Sequence, residues 1–294
     1  MTLPAEPGMT TPAPAARPSP AKAIGWAASF ILGGFLLMVV VSSVAARALG
    51  LSLGEATPLL LHLQTAAGLL VYAPLTWLYA RRLHLDGHSL RWSPVRLGVP
   101  GFGLGLALGA VPALVAIALA VGIGGAEFAP DTHSEGTYLG AVFNLLVLLA
   151  PAALLEEVIF RGVGQVVLAP AIGRLQAIIF CSAIFSLAHV MNPNTTSLGM
   201  LNIALAGIWL GVVFYLPGGI WTAWGAHLGW NLTLAALDTA VSGLALDVPR
   251  IDYHPAGPTW LTGGSFGPEG GLLATAVIGL GTVGAWRWTR KETV

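Results

Sequence analysis

The chain reads as all-α, a polytopic membrane bundle of about eight transmembrane helices, and three observations predict this. Only 9% of its 294 residues are charged, where soluble domains carry about 25%. Hydrophobic residues make up 55%, and the mean hydropathy is +0.79. Stretches free of Asp, Glu, Lys and Arg cover 23–46, 56–80, 97–126, 136–155, 175–237 and 271–286, and a crossing helix needs about 20 residues. A water-soluble globule is excluded, because its surface would need more charge. The formal net charge is zero, so no basic stripe exists for nucleic acid. The single cysteine, Cys181, excludes a disulfide framework.

Residues 1–22, rich in Pro and Ala, cannot bury a core and read as a disordered cytoplasmic tail. The rest, 23–292, reads as a single transmembrane helical domain. The long apolar run at 175–237 contains the turn signals Asn192-Pro193-Asn194 and Pro217-Gly218-Gly219, so it holds three crossings. The eight helices are expected at 24–46, 58–80, 98–121, 138–168, 173–191, 199–216, 219–238 and 270–288. Eleven of the thirteen basic residues then fall on one side, all but Arg47 and Arg250. The positive-inside rule makes that side, with both termini, cytoplasmic. Gly101, Gly105 and Gly109, and the pair Gly207 and Gly211, have the small-xxx-small spacing of closely packed helices.

Charge at membrane depth is costly, which singles out helix four, where Glu156, Glu157 and Arg161 sit in an apolar run. Neighbouring helical residues point about 100° apart, so the two carboxylates serve different ends. Glu157 and Arg161, at i and i+4, form a structural pair. Glu156 is left to face a cavity. Helix five adds His189, and helix seven adds His227 and Asn231, four apart and on one face. A carboxylate, two imidazoles and an amide make a water-activating site: Glu156 takes the proton of a water held with His189, and His227 and Asn231 donate to the tetrahedral oxygen. Helix rise measured from the flanking turns is compatible with one depth band opening toward the cytoplasm.

Glu156-Glu157-x-x-x-Arg161, Phe185-x-x-x-His189 and His227-x-x-x-Asn231 resemble the signatures of the CPBP family of intramembrane proteases, which includes the CAAX prenyl endopeptidase of the Rce type and bacterial Abi-like relatives. The likeness covers about 140–238. It implies a glutamic endopeptidase with an intramembrane site in a bacterial cell membrane, acting on a hydrophobic, lipidated or membrane-associated peptide or protein substrate. It also implies catalytic roles for Glu156, His189, His227 and Asn231, supported by Glu157, Arg161 and Phe185. No cofactor is expected. Zinc at Glu156, His189 and His227 is the alternative, disfavoured because no His-Glu-x-x-His pair is present and an Asn donor suits an oxyanion. A non-catalytic scaffold or bacteriocin-immunity-type protein, binding another membrane protein, is the competing function. A proton-coupled transporter is a third, against which stands the lack of an inverted repeat. Trp230 reads as packing, and Gln64, Asn144 and Asn202 as interhelical hydrogen-bond partners.

Overall fold

The computed structural model describes residues 18–52, 57–131 and 136–291. Eight long helices follow in order among them: α1 (Pro20–Ala48), α2 (Pro58–Arg82), α3 (Val95–Gly122), α4 (Tyr138–Ile172), α5 (Arg174–Ala188), α6 (Ser197–Val213), α7 (Ile220–Ala236) and α8 (Leu272–Lys291). The first four are long and apolar enough to cross a bilayer; α5 and α6 are shorter apolar helices. The expected tail lies outside the described residues as far as residue 17, whereas Pro20 to Lys22 are already helical. Ser19 Oγ accepts the Lys22 N–H there, and Pro20 occupies the first turn, where an N–H has no helical partner. The chain is also not purely helical. Strand β1 (Ala126–Ala129) pairs antiparallel with β2 (Asp252–Pro255); at four residues each, such strands leave almost no period-2 signal.

Two helices widen into π turns, at Ser29–Gly33 in α1 and Val158–Gly164 in α4. A π turn accommodates an extra residue and disturbs the backbone ladder. In α1 the Tyr72 hydroxyl of α2 donates to the Ile31 carbonyl at 2.7 Å. In α4 the π turn begins one residue after Glu157. Within it Arg161 Nη2 donates to the Gly207 carbonyl at 3.1 Å, and just after it Gln165 Nε2 donates to the Gly211 carbonyl at 3.2 Å. Side chains four apart on α4 thus meet carbonyls four apart on α6.

The closest helix pair is α3 against α7. A Cβ on Gly105 would lie 2.2 Å from the Thr222 carbonyl oxygen, and one on Gly109 would lie 2.0 Å from that of Ala226. From the other side, Cβ atoms on Gly225 and Gly229 would lie 2.2 Å and 2.4 Å from the Phe102 and Leu106 carbonyl oxygens. The backbones touch without intervening side chains, as the glycine spacing predicts.

The connections gather at two opposite ends. At one, Trp92 bridges to Gly219, and Arg91 donates to the carbonyls of Phe214, Tyr215 and Leu216 at 3.0, 3.0 and 3.2 Å. Arg174 lies over the Tyr215 ring at the same end. At the other, the β1–β2 ribbon joins the segment 237–271, which runs from α7 to α8, and Asn192 Nδ2 donates to the Ser242 carbonyl at 2.9 Å. Between α4, α5, α6 and α7 lies a cluster of apolar residues that includes Leu149, Ile178, Leu210 and Leu228.

Candidate active site

Glu157 is fully buried, and its Oε1 receives two hydrogen bonds, from Arg161 Nη1 at 2.9 Å and from His227 Nδ1 at 2.8 Å. A carboxylate only accepts, so His227 Nδ1 carries hydrogen. Nε2 is thereby turned outward, 3.7 Å from Glu156 Oε2. The Glu157 and Arg161 pair is therefore more than a local staple, because the same oxygen orients an imidazole on another helix.

His189 is built differently. It caps α5 instead of lying inside a helix reaching residue 191. Its Nδ1 lies 2.8 Å from the Phe185 carbonyl, again an acceptor only, so Nδ1–H donates and Nε2 faces Glu156 Oε2 at 3.9 Å. Phe185 is buried, packs edge-on against Phe160, and lies under the Arg161 guanidinium at 4.8 Å. Glu156 keeps 32% of its side chain exposed. Gaps of 3.7 and 3.9 Å are too long for direct hydrogen bonds and are the spacing at which a bridging water is to be considered.

Glu156, His189, His227 and Asn231 all line one cavity of about 290 Å³. Its walls are mostly apolar and include Leu149, Ala153 and Leu210. Among the described residues, no group of three His, Cys, Asp or Glu side chains has the disposition to hold a metal ion. The exposed residues Phe35 of α1 and Gln64 of α2 line the cavity too, so it opens through the side of the bundle.

The expected opening toward the arginine-rich end is corrected by this lining. The loop residues that reach the cavity, Asn192, Val241, Ser242, Leu244, Leu246 and Glu269, all come from the opposite end. The reason is the shortness of α5, which ends at Ala188 and brings His189 out to that end.

Residues 138–233 match the family described as type II CAAX prenyl endopeptidase, Rce1-like. The chain carries an Rce1-like domain. That family is one of peptide hydrolases, and four helices of the chain are long and apolar enough to cross a membrane. No curated protein and no solved structure matched in the other two comparisons. The Rce1-like domain contains α4 to most of α7, and with them Glu156, His189, His227 and Asn231.

Trp230 packs in the core against Trp209, as expected; it also lines the cavity, and its indole N–H donates to Glu269 at 3.0 Å, a bond the sequence did not signal. Glu269 is itself a buried carboxylate of the cavity wall. Its setting, Gly267-Pro268-Glu269-Gly270-Gly271, reads as a surface turn; the one usable signal was a lone acid directly before an apolar helix. Asn202 does bond across elements, donating to the Glu269 and Gly271 carbonyls at 2.7 and 2.9 Å. Asn144 is exposed instead.

Proposed function

We propose that the chain is an intramembrane endopeptidase in which Glu156 activates water without a metal. The observation that carries this reading is one carboxylate oxygen, Glu156 Oε2, facing Nε2 of both His189 and His227 in a cavity that Asn231 also lines. Water held between Glu156 and the His189 Nε2 lone pair gives its proton to Glu156, and its oxygen attacks a peptide carbonyl carbon. The tetrahedral oxygen receives hydrogen bonds from His227 Nε2 and the Asn231 amide. Because Nδ1 of His227 already donates to Glu157, donation from Nε2 requires the doubly protonated ring. Glu156 then returns its proton to the departing amine as the C–N bond breaks, leaving a carboxylic acid and an amine, between which the acid proton then passes to give carboxylate and ammonium.

The substrate is a hydrophobic, lipidated or membrane-associated peptide, since the cavity walls are mostly apolar and its mouth opens through the side of the bundle. All eight helices cross the membrane, with both termini and the arginine-rich end cytoplasmic. The mouth then lies in the opposite half of the bilayer.

Glu156→Gln keeps the shape of the side chain and removes the base. Purified Glu156→Gln protein should fold as the parent does and fail to cleave a membrane-anchored peptide that the parent cuts. Activity that is lost to a chelator and restored by zinc would replace the metal-free mechanism with zinc at Glu156, His189 and His227. A cellular phenotype that survives Glu156→Gln would favour the scaffold or immunity reading.

A further inference from the structure

The segment 237–271 contributes Val241, Ser242, Leu244, Leu246 and Glu269 to the cavity wall, although it lies outside the Rce1-like domain. Glu269 is 4% exposed. Its Oε1 accepts the Trp230 indole N–H at 3.0 Å, and its Oε2 accepts the Ser242 hydroxyl at 2.9 Å and the Ser242 backbone N–H. Each group hydrogen-bonded to its carboxylate is a donor, which calls for an acceptor-only side chain. The bonds run on from there. The Ser242 carbonyl accepts from Asn192 Nδ2 at 2.9 Å, and the Asn192 N–H donates to the His189 carbonyl at 3.0 Å. Trp230 stands on α7 between His227 and Asn231. One chain of hydrogen bonds therefore joins the His189 end of α5, through Ser242 and Glu269, to the helix that carries His227 and Asn231.

Ser242 and Gly243 have φ of 48° and 87°. A non-glycine residue in the left-handed region persists only where its surroundings hold it. The bonds from Glu269 and Asn192, and the Gly243 N–H donating to the Phe266 carbonyl at 2.9 Å, supply that hold.

We propose that Glu269 is a positioning residue of the proteolytic site, setting α7 against the His189 loop through Trp230 and holding Ser242, Leu244 and Leu246 as the substrate-facing wall through Ser242. The role rests on the endopeptidase reading, and the two can fail separately. Glu269→Gln turns an amide N–H2 toward either the Trp230 indole N–H or the Ser242 backbone N–H, neither of which can accept, so one of those bonds must open.

The test is made on the full chain in detergent, combining peptide cleavage with hydrogen exchange at amides 189–194 and 241–246. Glu269→Gln should raise exchange in both segments together and lower kcat by about 10-fold to 100-fold, the range for misplacement approaching 1 Å. Trp230→Phe, which removes only the N–H donor, should lower kcat and leave KM unchanged. Ser242→Ala should raise KM and leave kcat unchanged. In the Glu269→Gln background Trp230→Phe should add little, because both act through one bond. Glu127→Gln, an exposed acid at the same end, should change nothing. Parental exchange in Glu269→Gln, or full additivity with Trp230→Phe, would overturn the role of Glu269. If Glu269→Gln does not fold, the kcat effect of Trp230→Phe and the KM effect of Ser242→Ala decide, and absence of both refutes it. No cleavage by the parent, with the exchange response intact, would sink the endopeptidase reading and leave the positioning network standing.

Discussion

Gly109→Ala and Gly103→Ala place one methyl group on the same helix with opposite expected outcomes. On Gly109 the new Cβ would sit 2.0 Å from the Ala226 carbonyl oxygen and 2.6 Å from the Trp230 nitrogen, both backbone atoms of α7. Ordinary contact begins at 3.4 Å, so α3 and α7 must part by more than about 1 Å, a misplacement that can cost on the order of 100-fold in rate. The displaced stretch lies beside His227 and Asn231, so cleavage should fall by that order even though α3 carries none of the four proposed catalytic residues. On Gly103 nothing lies within 4 Å, and alanine favours an exposed helix position by about 1 kcal/mol over glycine. That variant should cleave as the parent does and melt no lower. Thermal melting in detergent and kcat on one membrane-anchored peptide measure both effects. Parental rate and melting in Gly109→Ala, or equal damage from Gly103→Ala, would show that backbone contact with α3 does not fix the depth and tilt of α7.

Glu157→Gln leaves Arg161 as a buried cation without its carboxylate, which costs about 3–5 kcal/mol, and it also frees His227; melting should drop and residual cleavage should fall further than in a variant matched for stability loss. A cysteine at Gln64, at the cavity mouth, should react with a membrane-impermeant thiol reagent from the side opposite to that labelling a cysteine at Ser93 in the arginine-rich end; labelling of both from one side would overturn the orientation. Asp238 is held above the usual carboxylate range, first by desolvation and further by Asp247 and Asp252, against the opposing N–H bonds from Val248 and Tyr253. Its folded form therefore binds a proton more readily than the unfolded chain does. The contribution of Asp238 to stability should rise as pH falls through that raised value and level off below the unfolded one. The parent should thus gain melting temperature on mild acidification relative to Asp238→Asn, and identical pH profiles would count against the assignment.

Helix existence was readable because charge-free runs longer than a bilayer leave the chain few alternatives, and the ends of α2, α3 and α4 lie close to expectation. The π turns were not readable, since neither Ser29 to Gly33 nor Val158 to Gly164 carries a residue pattern that sets it apart from an ordinary helix in an apolar run. Glu156, His189, His227 and Asn231, which line one cavity, stood out in the sequence because a polar residue in so apolar a chain must have a partner. Their partners were harder to find. The Glu157 to His227 bond spans 70 residues and has no local signature, whereas Glu157 to Arg161 spans four and does. Trp230 packs in the core as expected, but its bond to Glu269 was not legible, because only the later segment 237–271 curls round to meet its indole. The direction of the cavity was misjudged for a related reason: helix rise gives depth along each helix, while the mouth depends on which end supplies the loops.

The backbone contact between α3 and α7 also bears on where the Rce1-like domain ends. α3 lies wholly before residue 138, and Glu269 lies well after residue 233. One presses its glycines into the helix that carries His227 and Asn231, and the other holds the wall across from them. The stretch that carries the family likeness is therefore shorter than the stretch that must fold for the site to exist. A fragment cut to the family boundaries would expose the carbonyls of Thr222 and Ala226 and the indole of Trp230 to lipid, and a chimera grafting that fragment into another bundle would need a partner helix with glycine at four-residue intervals.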